Sequence, residues 1–418
     1  MNPLYNAGLY LFKYGLAAAS LRSPKIREMR KGQRQTLDTL AERRRSVAPD
    51  GFDVWIHAAS LGEFEQGRPL IERLRRERPD IRILLTFFSP SGYNVRHNYD
   101  KVDAVAYLPL DTPSEVRAFL DAAAPRCAIF VKYEFWGNYL AELQRREIPV
   151  YSISAIFRPG QRFFRPCGEM FRRMLRCFTH FYVQDEASKG LLHSIGIDKV
   201  TVAGDTRFDR VTDVLRESRP LTPELEAFAS SSDFTVVAGS TWPADEDVLI
   251  PELQRLGNVK AIIAPHEFDD RRLEKLLQRC GKGACLLSRL GRDGNDPAKC
   301  RTVIVDCFGL LSTLYRCASV AYVGGGFGTG IHNINEAAVY GVPVIFGPKH
   351  QKFREAAGLA AAGGGFEVTD RESIGKVLDT LISDKTALAG AGRAAGAYIS
   401  RNIGATDIIF KDLFTSSK

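Results

Sequence analysis

Three stretches of this chain combine residue types and spacings that chemistry can use. In Ser60-Leu61-Gly62-Glu63 a carboxylate follows directly on an apolar run, residues 53–59. A glutamate at the end of a buried strand can take the proton of an attacking hydroxyl if it lies within hydrogen-bond reach. The same Ser-x-x-Glu spacing is a capping box, in which serine and glutamate satisfy each other's backbone N–H. On spacing alone that structural reading is the stronger. In residues 320–353, VAYVGGGFGTGIHNINEAAVYGVPVIFGPKHQKF, a glycine-rich turn separates a strand from a helical patch that opens with His332, Asn333 and Glu336. Free N–H groups at such a turn, around Gly325 to Gly330, suit an anion and phosphate above all. Asn333 as a cap and Glu336 as a partner of the helix dipole is the plainer account. Ser240 and Thr241 stand at another strand-to-helix turn, ahead of Pro243, Asp245 and Glu246. A second phosphate contact and helix capping fit that turn equally. Lys132, Arg207, Lys349 and Lys352 sit at strand ends or beside these turns, where fixed cations would meet charge building up on a leaving anion.

Short apolar runs alternating with helical patterns hold these stretches in place. Residues 53–59, 81–87, 102–108, 127–131, 150–153 and 181–183 read as buried strands, and the alternation is that of a doubly wound parallel sheet. After a turn-rich segment, 212–233, the pattern restarts. Strands are expected at 235–238, 261–264, 302–305, 320–323 and 342–346, with a helix at 310–314 and a last helical region at 387–414. Pro69 predicts a kink or a late start in the helix after Glu63. The expected division is a helical segment 1–46, a first Rossmann-like domain 47–212, a linker 213–232, a second Rossmann-like domain 233–396 and a C-terminal helix 397–418. A length of 418 residues suits two domains.

The net charge of +8 is concentrated at the front, where residues 1–46 carry ten lysines and arginines against three acids. Residues 4–21 are mostly apolar, with Lys13 as their one charge. That length is at the short limit for crossing a bilayer. A helix lying in a membrane surface, with the basic run on anionic lipid, fits better; packing on its own domain is the simpler alternative. Residues 157–178 interleave six arginines with aromatics against one acid, Glu169. Single-stranded nucleic acid or a phospholipid surface would suit such a patch. The apolar start of the chain favours lipid, and no nucleic-acid-binding motif is present, so no nucleic-acid partner is expected. Eight cysteines show no CxxC pair and no zinc spacing, which fits a reduced, cytosolic compartment. No carboxylate pair has metal spacing, and neither metal nor cofactor is expected.

Five motifs in order carry more meaning together than any does alone: WIHAASLGE at 55–63, YEFWGN at 133–138, GDTRFD at 204–209, GSTWPADE at 239–246, and GGGFGTGIHNINE through FGPKHQKF at 324–353. Through them, over nearly its full length, the chain resembles the bacterial Kdo transferases, which move 3-deoxy-D-manno-octulosonic acid from CMP-Kdo to the lipid A precursor. The resemblance implies a GT-B α/β fold: two doubly wound Rossmann-like domains facing each other across a cleft, with an N-terminal membrane-associated helix. It implies an inverting, metal-independent glycosyltransferase without cofactor, on the cytoplasmic face of the bacterial inner membrane. It makes Glu63 the catalytic base and assigns acceptor contacts to Ser60, Gly62, Lys132, Glu134, Arg158 and Arg207. The CMP-Kdo donor falls to Ser240, Thr241, Pro265, His266, Gly325, Gly326, His332, Asn333, Glu336, Lys349 and Lys352, with Glu336 toward the ribose. His332, at first sight the natural acid–base residue, becomes a donor-site contact. Three departures mark this sequence: Pro265-His266-Glu267 where the family has Pro-Arg-His, residues 154–158 (SAIFR) in place of Asn-Ala-Arg, and Gly330-Ile331 in place of Gly-Gly. The rival readings are a GT-B transferase with a UDP-sugar donor and a non-catalytic membrane-bound sugar-nucleotide binder.

Overall fold

The structure, a computed structural model, describes residues 3–217, 220–351 and 353–415. It comprises two compact units, residues 1–210 with 403–418, and residues 211–402. In the first unit seven strands, β1 (Val54–His57), β2 (Ile83–Phe87), β3 (Ala104–Tyr107), β4 (Cys127–Val131), β5 (Val150–Ala155), β6 (His180–Val183) and β7 (Val200–Val202), form one parallel sheet in the order β3-β2-β1-β4-β5-β6-β7. A parallel sheet covered on both faces needs strands that are apolar throughout, and β1 and β2 are buried at every position. On one face Trp55 packs against Phe119, Phe130 and Tyr139, ring centroids 4.9–5.6 Å apart. On the other, Ile56 and Leu85 meet Phe64, Leu70 and Leu74 of helix α3 (Leu61–Glu77). Chain direction across the sheet reverses between β1 and β4. The loops leaving those strands therefore diverge, and open a crevice at the carboxyl edge.

The second unit repeats the plan with β8 (Thr235–Thr241), β9 (Lys260–Pro265), β10 (Ala284–Leu286), β11 (Thr302–Ile304), β12 (Val320–Val323), β13 (Val344–Phe346) and β14 (Gly365–Glu367), in the order β10-β11-β9-β8-β12-β13-β14, all parallel. Its switch point lies between β8 and β12. Both crevices thus fall at the motifs: 58–63 with 132–136 in one unit, 240–242 with 324–332 in the other.

Several expectations need correction. Strands β7, β10 and β14 were not foreseen, because each has three residues at a sheet edge and buries only part of them. Pro69 lies buried inside α3, which starts at Leu61 and not later. The expected linker 213–232 contains the end of one helix, Arg207–Glu217, and the whole of another, Pro223–Ser230. The helix Lys385–Asn402 ends before Gly404, whose φ of 111° suits a glycine, and the next helix, Ala405–Phe410, belongs to the first unit. There Asp209 accepts the N–H groups of Gly404 and Thr406, each at 2.6 Å, and Ile409 and Phe410 complete the core against α3.

Two observations bear on the segments expected to face lipid. Within residues 157–178, Phe157, Phe163 and Phe178 are buried, packed edge-on with Phe135 or with one another, and Arg172 and Arg176 bond Glu169. Most of the aromatics therefore pack into or against the core, and the arginines, Arg165 and Arg173 among them, supply most of the exposed charge. At the front, α1 (Pro3–Arg22) and α2 (Pro24–Ser46) both dock on the first unit, and among the described residues no helix is long and apolar enough to cross a membrane. The docking of α1 is polar: Tyr5 donates to buried Asp111 at 2.6 Å, Asn6 accepts from Asn138 at 2.8 Å, and Lys13 pairs with Glu115 at 2.6 Å. Its apolar side faces outward, with Leu4, Leu11, Tyr14 and Leu21 each at least 70% exposed. A soluble helix normally shows the reverse arrangement.

Candidate active site

Glu63 stands in the first turn of α3, three residues after Ser60 at the N-cap. The capping box is incomplete: the Glu63 carboxylate accepts the Ala59 N–H at 2.6 Å, while the Ser60 hydroxyl makes no capping bond. Burial pushes the Glu63 carboxyl up to about 7, helped by the negative charge of Glu134 and opposed by the Ala59 N–H and by Lys132. A carboxyl that is half-ionised near neutrality is matched to accept a proton from a substrate hydroxyl.

Glu134 is itself held in place. Its Oε2 accepts the Trp136 indole N–H at 2.5 Å and lies 3.2 Å from His57 Nε2. His57, the wholly buried last residue of β1, has its Nδ1 2.9 Å from Thr86 Oγ1 and 3.1 Å from the Thr86 carbonyl. Directly after β4 and near the end of β5, Lys132 and Ser154 adopt left-handed backbone conformations, φ 68° and 51°. Non-glycine residues hold such angles only where the surroundings enforce them, and they cluster at functional sites.

The GDTRFD motif turns inward. Arg207 bonds Asp205 through Nε at 3.0 Å and Nη2 at 2.7 Å, and Asp205 also accepts from Gln66 of α3. The Thr206 hydroxyl bridges Ser154 and the Gln66 carbonyl. The motif thus ties α3, and with it Glu63, to the strand ends; Arg207, expected as a substrate cation, already has a carboxylate partner. Arg158 is exposed in the loop after β5. Gly62 is exposed as well, and a Cβ there would meet only Ser60 Oγ, at 4.0 Å, so internal packing does not demand a glycine.

In the second unit the expectation of free N–H groups along the glycine turn is corrected at three positions. Gly325 N–H goes to Asp245 at 2.8 Å, and Gly328 and Gly330 N–H go to the Gly325 carbonyl at 2.9 and 3.0 Å. The glycines serve close packing: a Cβ on Gly324 would stand 2.3 Å from the Ser240 carbonyl, and one on Gly326 2.6 Å from Gly347. Ser240 sits at an irregularity of β8 with φ 54°. The Thr241 hydroxyl, expected at the donor, is buried and bonded to Glu246 at 2.9 Å. The helix after the turn is short, Asn335–Ala338, and Asn333 both accepts the Asn335 N–H and donates to Glu336 at 3.0 Å. Exposed Lys349 donates to the Gly328 carbonyl at 2.7 Å, and Lys352 lies outside the described residues.

Pro265 ends β9, and His266 after it stacks with two other rings. Its centroid is 4.9 Å from that of Trp242 and 4.3 Å from that of His332, with planes 29° and 28° apart. The Trp242 indole N–H donates to His332 Nε2 at 3.1 Å. Burial, and then neighbouring His266, hold His332 below the usual imidazole range, against the pull of Asp245. Both effects favour the neutral ring over the imidazolium.

Four residues of this architecture escaped the reading of the sequence: His57, Trp136, Trp242 and Asp245. Asp245 was seen as an acid favoured by a helix N-terminus, yet it is fully buried and accepts from Trp242 N–H, Tyr322 hydroxyl and Gly325 N–H. Its signal was its place two residues after Pro243, at the third position of a helix that follows a strand. Among the described residues no group of three His, Cys, Asp or Glu side chains could hold a metal ion.

Residues 26–210 match the family model described as 3-deoxy-D-manno-octulosonic-acid transferase (kdotransferase). The 3-deoxy-D-manno-octulosonic acid transferase of Bordetella pertussis is 28% identical over 390 residues, 87% of each chain, and that of Aquifex aeolicus is 26% identical over 341 residues, 79% of this chain and 86% of its own. Among solved structures, UDP-GlcNAc 2-epimerase from Neisseria meningitidis aligns with 87% of this chain and all of its own at a TM-score of 0.60 and 16% identity, a likeness of fold. With a family match over residues 26–210 and relatives that run through both units, the chain is similar to the Kdo transferases over most of its length.

Proposed function

We propose that the protein transfers Kdo from CMP-Kdo to the lipid A precursor in lipopolysaccharide synthesis, with inversion at the anomeric carbon. The observation that carries this is the half-buried Glu63 carboxyl at a strand switch point, raised to about 7. Glu63 takes the proton of the acceptor hydroxyl as its oxygen bonds to the anomeric carbon, the bond from that carbon to the CMP phosphate breaks, and CMP leaves with the electron pair. The open backbone at Gly62 leaves room for the acceptor beside the base. In the second unit His266, His332, Asn333 and Glu336, with Lys349 and Lys352, receive the nucleotide. The outward apolar side of α1, followed by the basic α2, seats the enzyme on an anionic lipid surface, the inner membrane's cytoplasmic face.

The test is transfer to a tetra-acylated lipid A precursor, followed by mass spectrometry, with CMP-Kdo and UDP-sugars offered separately. Product from CMP-Kdo alone is expected. Turnover with UDP-sugars only would overturn the reading, as would a Glu63→Gln variant that transfers at the wild-type rate.

A further inference from the structure

We infer that Trp242 is a positioning residue that fixes His332 as its Nδ1–H tautomer, so that Nδ1–H is the hydrogen-bond donor His332 offers to an anionic oxygen of the bound nucleotide. An indole N–H can only donate. At 3.1 Å it therefore requires a lone pair on His332 Nε2, and a neutral imidazole with that lone pair carries its hydrogen on Nδ1. The ring cannot rotate freely to exchange its nitrogens. His266 covers one face at 4.3 Å, the His332 N–H is bonded to the Gly324 carbonyl at 3.1 Å, and Cδ2 lies against Gly325, where an added Cβ would approach to 3.1 Å. Trp242 is in turn placed by Asp245, whose carboxylate accepts the Trp242 backbone N–H at 2.9 Å and the Gly325 N–H at 2.8 Å. One buried acid thus sets both the tryptophan and the loop that carries the histidine. The charged and titratable groups facing His332 are His266, through the stack, and Asp245. No described residue bonds Nδ1.

The assignment of a nucleotide to this site rests on the proposed function; the tautomer does not. Heteronuclear NMR of the imidazole nitrogens in the full-length, ligand-free protein should show His332 Nε2 as the unprotonated nitrogen at pH 7. Trp242→Phe, which keeps a ring against His266 and removes only the N–H, should move part of the population to the Nε2–H form and raise the histidine's pKa. Nε2–H in the wild-type protein, or an unchanged spectrum in Trp242→Phe, would overturn the inference. CMP titrations then separate the two readings. An asparagine amide can stand where Nδ1 stands and a glutamine amide where Nε2 stands, so His332→Asn should keep CMP affinity within about threefold and His332→Gln should lose about tenfold or more, one hydrogen bond to a charged group. Equal losses in the two variants would overturn the donor role. Wild-type protein that shows the expected tautomer yet binds no CMP would refute the nucleotide site instead.

Discussion

At the scale of single residues, the raised Glu63 carboxyl has consequences of opposite sign for catalysis and stability. Only the ionised form accepts a proton, so the rate of the chemical step should fall below a pH near 7, and Glu63→Gln should lower turnover by roughly 10²–10⁴-fold while leaving CMP affinity unchanged. For stability the direction reverses. Between the ordinary glutamate value of 4.5 and about 7, the unfolded chain gives up this proton and the folded chain keeps it, so the fold loses free energy as pH rises through that window, by at most about 3 kcal/mol. Glu63→Gln should therefore melt higher than wild type at pH 8, with the gap closing toward pH 4. The glycines divide in the same way. Gly326→Ala should destabilise by about 2 kcal/mol or more, because its Cβ would meet the Gly347 backbone at 2.6 Å. Gly62→Ala meets open space inside a helix and should stabilise by up to about 1 kcal/mol while raising the acceptor KM, since the space it fills is where the acceptor is proposed to enter. Paired thermal melts and steady-state kinetics would separate the two; a Gly62→Ala enzyme with unchanged KM would remove the acceptor from that edge.

At the scale of elements, legibility followed burial. Central strands with two neighbours announce themselves as apolar runs, so β1, β4 and β12 lie within a residue or two of where periodicity expected them, and β8 starts where expected and runs three residues further. Edge strands of three residues gave too little signal. In the candidate site the carboxylate stands out in the sequence, and the residues that hold it do much less so. A buried polar side chain such as Asp245 or His57 has the composition of any surface acid or imidazole until its partners are seen, 77 to 80 residues away in sequence. Arg207 and Thr241 show the converse, chemically suitable residues whose partners lie inside the chain. Helix α1 is the element where pattern and structure together say most. A Leu11→Glu substitution lies on its exposed side, at 74% exposure, and should leave melting within about 0.5 kcal/mol while reducing co-sedimentation with vesicles of anionic phospholipid. Unchanged vesicle binding would assign lipid contact to another surface. By contrast, Tyr5→Phe removes a bond to buried Asp111 and should cost about 1–3 kcal/mol.

At the scale of the whole molecule, the chain passes from the first unit to the second near Arg210 and returns near Ile403. The return is clamped by Asp209, by the Arg73–Asp407 bond at 2.9 Å and by Ile409 and Phe410 against α3. Asp209→Ala should accordingly destabilise the first unit by about 2–4 kcal/mol, read as faster hydrogen exchange in α3 and in Ala405–Phe410 with the second unit unaffected. Uniform exchange across both units would show that the clamp acts on the whole chain. The returning segment also sets an order of events at the ribosome. β1 to β7 are synthesised first, yet the side chains that close their core arrive only after residues 211–402 have been made. At about 5–20 residues per second that is a wait of roughly 10–40 s, during which the nascent α3 presents an uncovered apolar face, so this enzyme should depend on a holding chaperone during synthesis more than its finished stability would suggest.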